Sequence, residues 1–315
     1  MNKIVKNFNK LLINTIFKVQ NKTNNNLEIS TFNKFLITFI AVLFLYIFYL
    51  MLPLLYDKNW VKNNIQTKLL AEFKIDLNSI DDISYRILPA PHFLIKDSMI
   101  ASNSSKNEKP IAEIKDLMVF LDQMNFFNKE KMSIIEVIID NANFSLLGNN
   151  LKLLNDSTIN KFTNKKVIIK KSNIFLKNNL DEITTIIKVN KANFFFNEKK
   201  LQNQFDIKGN IFTTPFIFKL KTKNDLFIEK KFLFKTKTLN LEIFNNHIIK
   251  KNNSTIGNNI ITFLNSSIES EYEFTDKKII FTSKNSRIHS SKINYDGELS
   301  INPFDLDLHV SLNSN

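Results

Sequence analysis

The chain has 315 residues, no cysteine and only four glycines, Gly148, Gly209, Gly257 and Gly297. The missing thiols exclude disulfides, thiolate nucleophiles and Cys-based zinc or iron–sulfur sites, and so few glycines leave no phosphate-cradling loop. The formal charge of +13 is almost wholly Lys spread along the chain, with arginine only at Arg86 and Arg287. It reads as a solvated Lys/Asn surface, without the concentrated Arg forks and aromatic platforms by which nucleic acid is read, so no nucleic-acid partner is expected.

Residues 1–34 hold Lys3, Lys6, Lys10, Lys18, Lys22 and Lys34 against a single acid, Glu28. Ile4, Phe8, Leu11, Leu12, Thr15 and Val19 fall near helical spacing, which suits a short amphipathic helix on an anionic leaflet; a disordered tail is the other reading. The next segment, 35–56, is FLITFIAVLFLYIFYLMLPLLY, 22 residues without a charge. As a helix it would span roughly 33 Å, enough for a hydrocarbon core of about 30 Å. It is too long for a signal-peptide core and ends in Leu and Tyr instead of small residues. Tyr46, Tyr49, Tyr56 and Trp60 suit interfacial anchoring, and the Lys excess places the N-terminus in the cytoplasm.

Residues 57–78 read as one amphipathic helix, with Val61, Ile65, Leu69 and Phe73 recurring every four positions. That stripe is a core face or the cap of a hydrophobic opening. From about residue 80 the period changes to two. Apolar alternation runs through 111–121 and through 132–146, where Val137, Ile139, Phe144 and Leu146 alternate with polar residues on either side of Asn141. It returns at Phe205, Ile207, Gly209 and Ile211, at Phe216, Phe218 and Leu220, and at Tyr295, Gly297, Leu299 and Ile301. One apolar face and one wet face is the antiparallel pattern. The stretches 204–218 and 292–306 share an outline of Gly followed by Pro-Phe, read as a strand–bend–strand unit.

The order of these features resembles the N-terminal region of AsmA-like proteins of the Gram-negative envelope. An anchor ends LPLLYDKNW, an amphipathic helix follows, then ISYRILPAPHFLIKDSMIAS (83–102), and then AEIKDLMVFLDQMNFFNKEKMSIIEVIIDNANFSL (112–146). The likeness covers 35–150 and, more loosely, the Gly-Pro-Phe units of 200–312. The chain departs from the family at Glu72 and Phe73, where a glycine is often found, and is short enough to be a truncated or minimal member.

The resemblance implies a mainly β protein: an N-terminal transmembrane helix and an amphipathic helix, then a long curled antiparallel β-sheet, or β-groove, over 79–315. It also implies a single-pass protein of the bacterial inner membrane with its C-terminal domain in the periplasm. The implied function is non-enzymatic: binding or conducting phospholipid in support of outer-membrane lipid homeostasis and assembly. The groove lining is expected at Val137, Ile139, Phe144, Leu146, Phe205, Ile207, Phe216, Phe218, Tyr295, Leu299 and Ile301. A stack of roughly 14 strands at about 4.8 Å measures about 65 Å, short for a periplasm, so another envelope protein is an expected partner. The alternative is a non-catalytic scaffold whose β-sandwich docks a partner protein.

No catalytic arrangement stands out. His92, His247, His289 and His309 are dispersed without metal-ligand spacing, so no metal or cofactor is expected. Pro89 and Pro91 mark a bend beside an edge strand, and Phe194-Phe195-Phe196 must place rings on both faces of a strand.

Overall fold

The computed structural model describes residues 30–78, 80, 82–100, 110–147, 161–178, 180–250, 254–275 and 277–313. The expected helix within residues 1–29 lies outside the described residues. Two compact units divide at Leu52/Pro53. The first contains helix α1 (Thr31–Met51), which starts four residues before the uncharged run and carries Lys34 in its first turn. Pro53 has no N–H to continue the ladder, and the helix passes into a tighter turn at Leu52–Leu55. Together these 25 residues are long and apolar enough to cross a membrane.

The second unit opens with helix α2 (Lys58–Lys68), capped where Trp60 N donates to Asp57 Oδ1 at 2.8 Å. A π-helical turn, Leu69–Phe73, extends it, and Lys74 in the left-handed conformation (φ 58°) stops it short of residue 78. The four-residue stripe is buried at all of its positions, Val61, Ile65, Leu69 and Phe73.

Fifteen strands follow: β1 (Asp82–Arg86), β2 (His92–Ile100), β3 (Ala112–Leu121), β4 (Ile134–Leu147), β5 (Lys166–Lys177), β6 (Ile183–Asn197), β7 (Gln202–Ile211), β8 (Thr214–Asn224), β9 (Ile228–Thr236), β10 (Leu241–Ile249), β11 (Thr255–Phe263), β12 (Ser266–Phe274), β13 (Lys278–Ile288), β14 (Ser291–Ile301) and β15 (Phe304–Asn313). They form one sheet in sequence order, open at both edges. Every pairing is antiparallel except β4–β5, which runs parallel and departs from the all-antiparallel expectation. Among the described residues no second sheet lies against the first, so the sandwich of the scaffold alternative is not the fold.

One face of the sheet is inward at α2. Helix α2 and the chain after it are tied to the sheet at several points. Tyr56 Oη donates to Phe126 O in the β3–β4 loop at 2.5 Å, and Lys129 Nζ lies 5.5 Å over the Trp60 ring. At the other end Glu72 pairs with Lys165, just before β5, and Leu77 bridges to Ile100 of β2. Beneath this span Ile95, Leu117, Val119 and Val137 are 0% exposed, a filled core. The loop carrying Pro89 and Pro91 bends between edge strand β1 and β2. It covers the opposite face, where Ala90 and Met118 pack on Phe120, Ile138 and Ile168.

A bend line crosses β2–β6. Two consecutive residues turn outward on each strand, Lys96-Asp97, Lys115-Asp116, Asp140-Asn141, Lys170-Lys171 and Asn190-Lys191. Asp97, Asn141 and Lys171 have positive φ there. Alternation restarts beyond the line in the opposite phase, so Val137 and Ile139 share the inward face with Phe144 and Leu146. Each such reset curves the sheet.

The Gly-Pro-Phe outline is a hairpin, not a bend at glycine. Gly209 sits in mid-strand opposite Phe216, with Pro215 in the facing strand, and Gly297 sits opposite Phe281. A side chain at Gly209 would overlap Lys188 O and press on the Phe216 ring; one at Gly297 would press on Phe281. Glycine here makes room for rings, and none of the described glycines has positive φ. The hairpin turns use Leu201, Phe212, Asn240, Leu264 and His289 in the left-handed region instead.

Candidate functional site

Cross-strand pairs share a face, so the register carries the inward face from β4 to β15. Val137 and Ile139 align with Val167 and Ile169, these with Phe194 and Ala192, and these with Phe205 and Ile207. Phe216 and Phe218 follow on β8, and the same face continues to Tyr295, Leu299 and Ile301 on β14. All eleven expected lining residues therefore stand on one face.

Their surroundings differ. Val137 and Ile139 are sealed in the core under α2, which corrects the expectation that they line an open trough. Phe144, Leu146, Phe205, Ile207, Phe218, Tyr295 and Leu299 are half-buried, Phe216 is buried and Ile301 is exposed at the end of its strand. From β6 to β9 the inward side chains build a ladder of rings. Phe194 stacks on Phe205 at 4.1 Å, Phe205 meets Phe218 at 6.0 Å, Phe218 lies 6.4 Å from Phe232, and Phe216 lies 5.8 Å from Phe234. Phe194 and Phe196 face inward and Phe195 outward, so the triplet does place rings on both faces.

Beyond β8 the inward face is not uniformly apolar, which corrects the expected continuous greasy lining. Apolar residues at one end of the strands (Ile228, Ile249, Phe274, Ile279) and at the other (Phe234, Ile243, Ile261, Ile268) flank a polar band. One row of it runs Thr222, Lys230, His247, Gly257, Tyr272; the next runs Asn245, Asn259, Ser270 and, past β13, Tyr295. His247 Nδ1 lies 2.8 Å from Asn245 Oδ1; the amide oxygen can only accept, so the ring nitrogen donates. Asn245 Nδ2 donates to Tyr272 Oη at 2.9 Å, and Tyr295 Oη donates to Glu269 O at 3.1 Å. Burial, and then the Lys230 charge beside it, push the His247 pKa below its ordinary value, so the ring is neutral at pH 7.

Lys230 is 4% exposed on a sheet with no second layer over it. Such occlusion requires the sheet itself to curl around that face. The burial of Thr222, Thr236, Asn245, Ser283 and Ser286 on the same face says the same. On the opposite face of β10–β13 a hollow of about 460 Å³ is lined by Ile248, Ile256 and Ile280 with Glu271 and Glu273. Its acids make it unfit for a phosphate, so it is not the candidate site.

The polar band escaped the sequence reading, although its parity was legible: Ile228-Lys230-Phe232-Phe234 and Ile243-Asn245-His247-Ile249 each keep one face. Of the other histidines, His92 stacks on Phe120 at 4.8 Å on the outward face, His289 lies in a turn, and His309 is exposed near Asp296 and Asp307. Among the described residues no three His, Cys, Asp or Glu side chains gather as metal ligands. Comparison with family models and with curated proteins returns no match to this chain.

Proposed function

We propose that this chain is a membrane-tethered lipid-handling protein, in which the acyl chains of phospholipid lie along the apolar rows of the inward face. The observation that carries the reading is an unclosed single-layer sheet whose curled face is sealed by a helix at β1–β4 but only half-buried, and ring-lined, from β6 onward. Each methylene moved from water onto such a face gains about 0.8 kcal/mol, so two chains are held firmly without many directed contacts. The apolar α1 supplies a tether next to a source of lipid. The resemblance to AsmA-like proteins over 35–150 supports an inner-membrane anchor with the sheet in the periplasm. The six lysines against one acid in residues 1–34 support a cytoplasmic N-terminus. On this reading the role is phospholipid supply to the outer membrane and its assembly, without catalysis.

A photo-crosslinking residue at Phe218 or Leu299 of the full chain tests it. Adducts with phospholipid at both, and none at outward Lys219 or Glu298, are expected; equal labelling of both faces would refute it.

A docking role is favoured by one observation. Strand β15 is paired only by β14, and Leu306, Leu308, Val310 and Leu312 are exposed along it. A partner strand adding to that edge would extend the same face. Crosslinking mass spectrometry with β15 as bait separates the readings: a stoichiometric protein adduct without bound lipid would favour the scaffold.

A further inference from the structure

Charged side chains crowd the outward face of the sheet, but from β7 to β15 the register brings just one to the inward face, Lys230. Every Asp, Glu, Arg and other Lys on the paired positions of those strands points the other way. An ammonium almost removed from water, on a face without a carboxylate, is electrostatically costly until an anion joins it. Directly opposite Lys230, across β8–β9, stands Thr222. Its hydroxyl is 2% exposed and has no hydrogen-bond partner. A buried hydroxyl left so is unfavourable, and one more acceptor at this place would satisfy it. On the other side of Lys230 the neutral His247 ring is locked by Asn245 and Tyr272, which keeps a second cation away and fixes the wall.

We propose that Lys230 and Thr222, walled by His247, form a binding station for the phosphate of a lipid headgroup, set between the two apolar rows that take its chains. This rests on the lipid-handling reading and deepens it: the substrate class is a phosphate-bearing two-chain amphiphile, not any apolar molecule. The ammonium neutralises one phosphate oxygen and the threonine hydroxyl donates to another. Flanking Phe232 and Phe234 on β9 keep water from the pair and meet the first methylenes of the chains. The station gives a trough that is otherwise indifferent to headgroups a reason to prefer phospholipid over diacylglycerol, and a fixed place at which a lipid pauses.

The full chain in maltoside detergent is titrated calorimetrically with short-chain phosphatidylglycerol, with the matching diacylglycerol and with inorganic phosphate. The wild type should bind the phospholipid roughly tenfold more tightly than the diacylglycerol, a difference of about 1.4 kcal/mol. Lys230→Met should bring the two within about twofold, and the nearly isosteric Thr222→Val should reduce the preference by roughly threefold. Both lipids binding with the same preference in wild type and in both variants would overturn the station and leave the lipid reading standing. Phosphate binding lost in Lys230→Met, with neither lipid bound, would make this a free-anion site and sink the lipid reading. Failure of all three ligands would sink both. Should Lys230→Met not fold, Thr222→Val carries the test alone.

Discussion

The contrast between a sealed and a half-open end of one face can be tested with the same chemical change at two places. Leu117 and Leu299 both point inward. Leu117 is 0% exposed, flanked across the strands by Ile95 and Ile139, which are themselves buried. Leu299 is half-buried, opposite Ile279 and an exposed Leu306 on the edge strand. Truncating a fully buried leucine removes its transfer energy and leaves a cavity, for a loss of about 3 kcal/mol. For a unit of this size each kcal/mol moves Tm by about 2–4 °C, so Leu117→Ala should melt about 6–12 °C lower. At Leu299 much of the side chain already meets water and no closed cavity forms. A loss of about 1 kcal/mol and a fall of about 2–4 °C are expected. Thermal melts of the full chain in detergent, followed by far-UV circular dichroism, measure both. Equal falls, or a larger one at Leu299, would mean the distal face is packed as tightly as the proximal one, and the trough does not exist.

Other consequences concern single positions. Gly209→Ala places a Cβ against Lys188 O and the Phe216 ring, and should cost about 1–3 kcal/mol in urea unfolding; a neutral result would mean the ring does not rest on the glycine. Lys74 holds a left-handed conformation that suits glycine, so Lys74→Gly should stabilise by roughly 0.5–1 kcal/mol despite its greater unfolded-state freedom. His247 resists protonation when folded, because it is buried and faces Lys230, so below about pH 6.5 the unfolded chain takes the proton first. The stability that the neutral ring contributes is therefore complete at pH 8 and falls as pH drops from about 6.5 toward the depressed folded pKa. His247→Gln should lose less Tm than wild type between pH 7.5 and 5.5, and identical losses would contradict the assignment.

The sequence announced its faces better than their neighbours. The stripe Val61, Ile65, Leu69, Phe73 is buried as its spacing required, and the phase change around Asn141 is a bend at that residue. The alternations around Phe205, Phe216 and Tyr295 are strands β7, β8 and β14. Periodicity states which residues share a side but not what lies over them, so nothing distinguished sealed Val137 from half-open Phe205. The parallel β4–β5 pairing was equally hidden, because it depends on a long connection and not on local pattern. Between 226 and 290, Lys230, Asn245 and His247 occupy inward positions and break the apolar alternation, so the most informative polar groups made their own strands hardest to read. Glycine was taken as the mark of a bend; with so few in the chain, they stand where rings pass close, and Asn, Asp, Lys, Leu and Phe take the left-handed turns.

Mass spectrometry of organic extracts from the full chain, purified in detergent, tests the central claim most directly. The account predicts two-chain phospholipid in near-stoichiometric amount, depleted by Phe218→Asp on the inward face and kept by Lys219→Asp on the outward one. A lipid-free wild-type protein, or equal retention by the two variants, would contradict it.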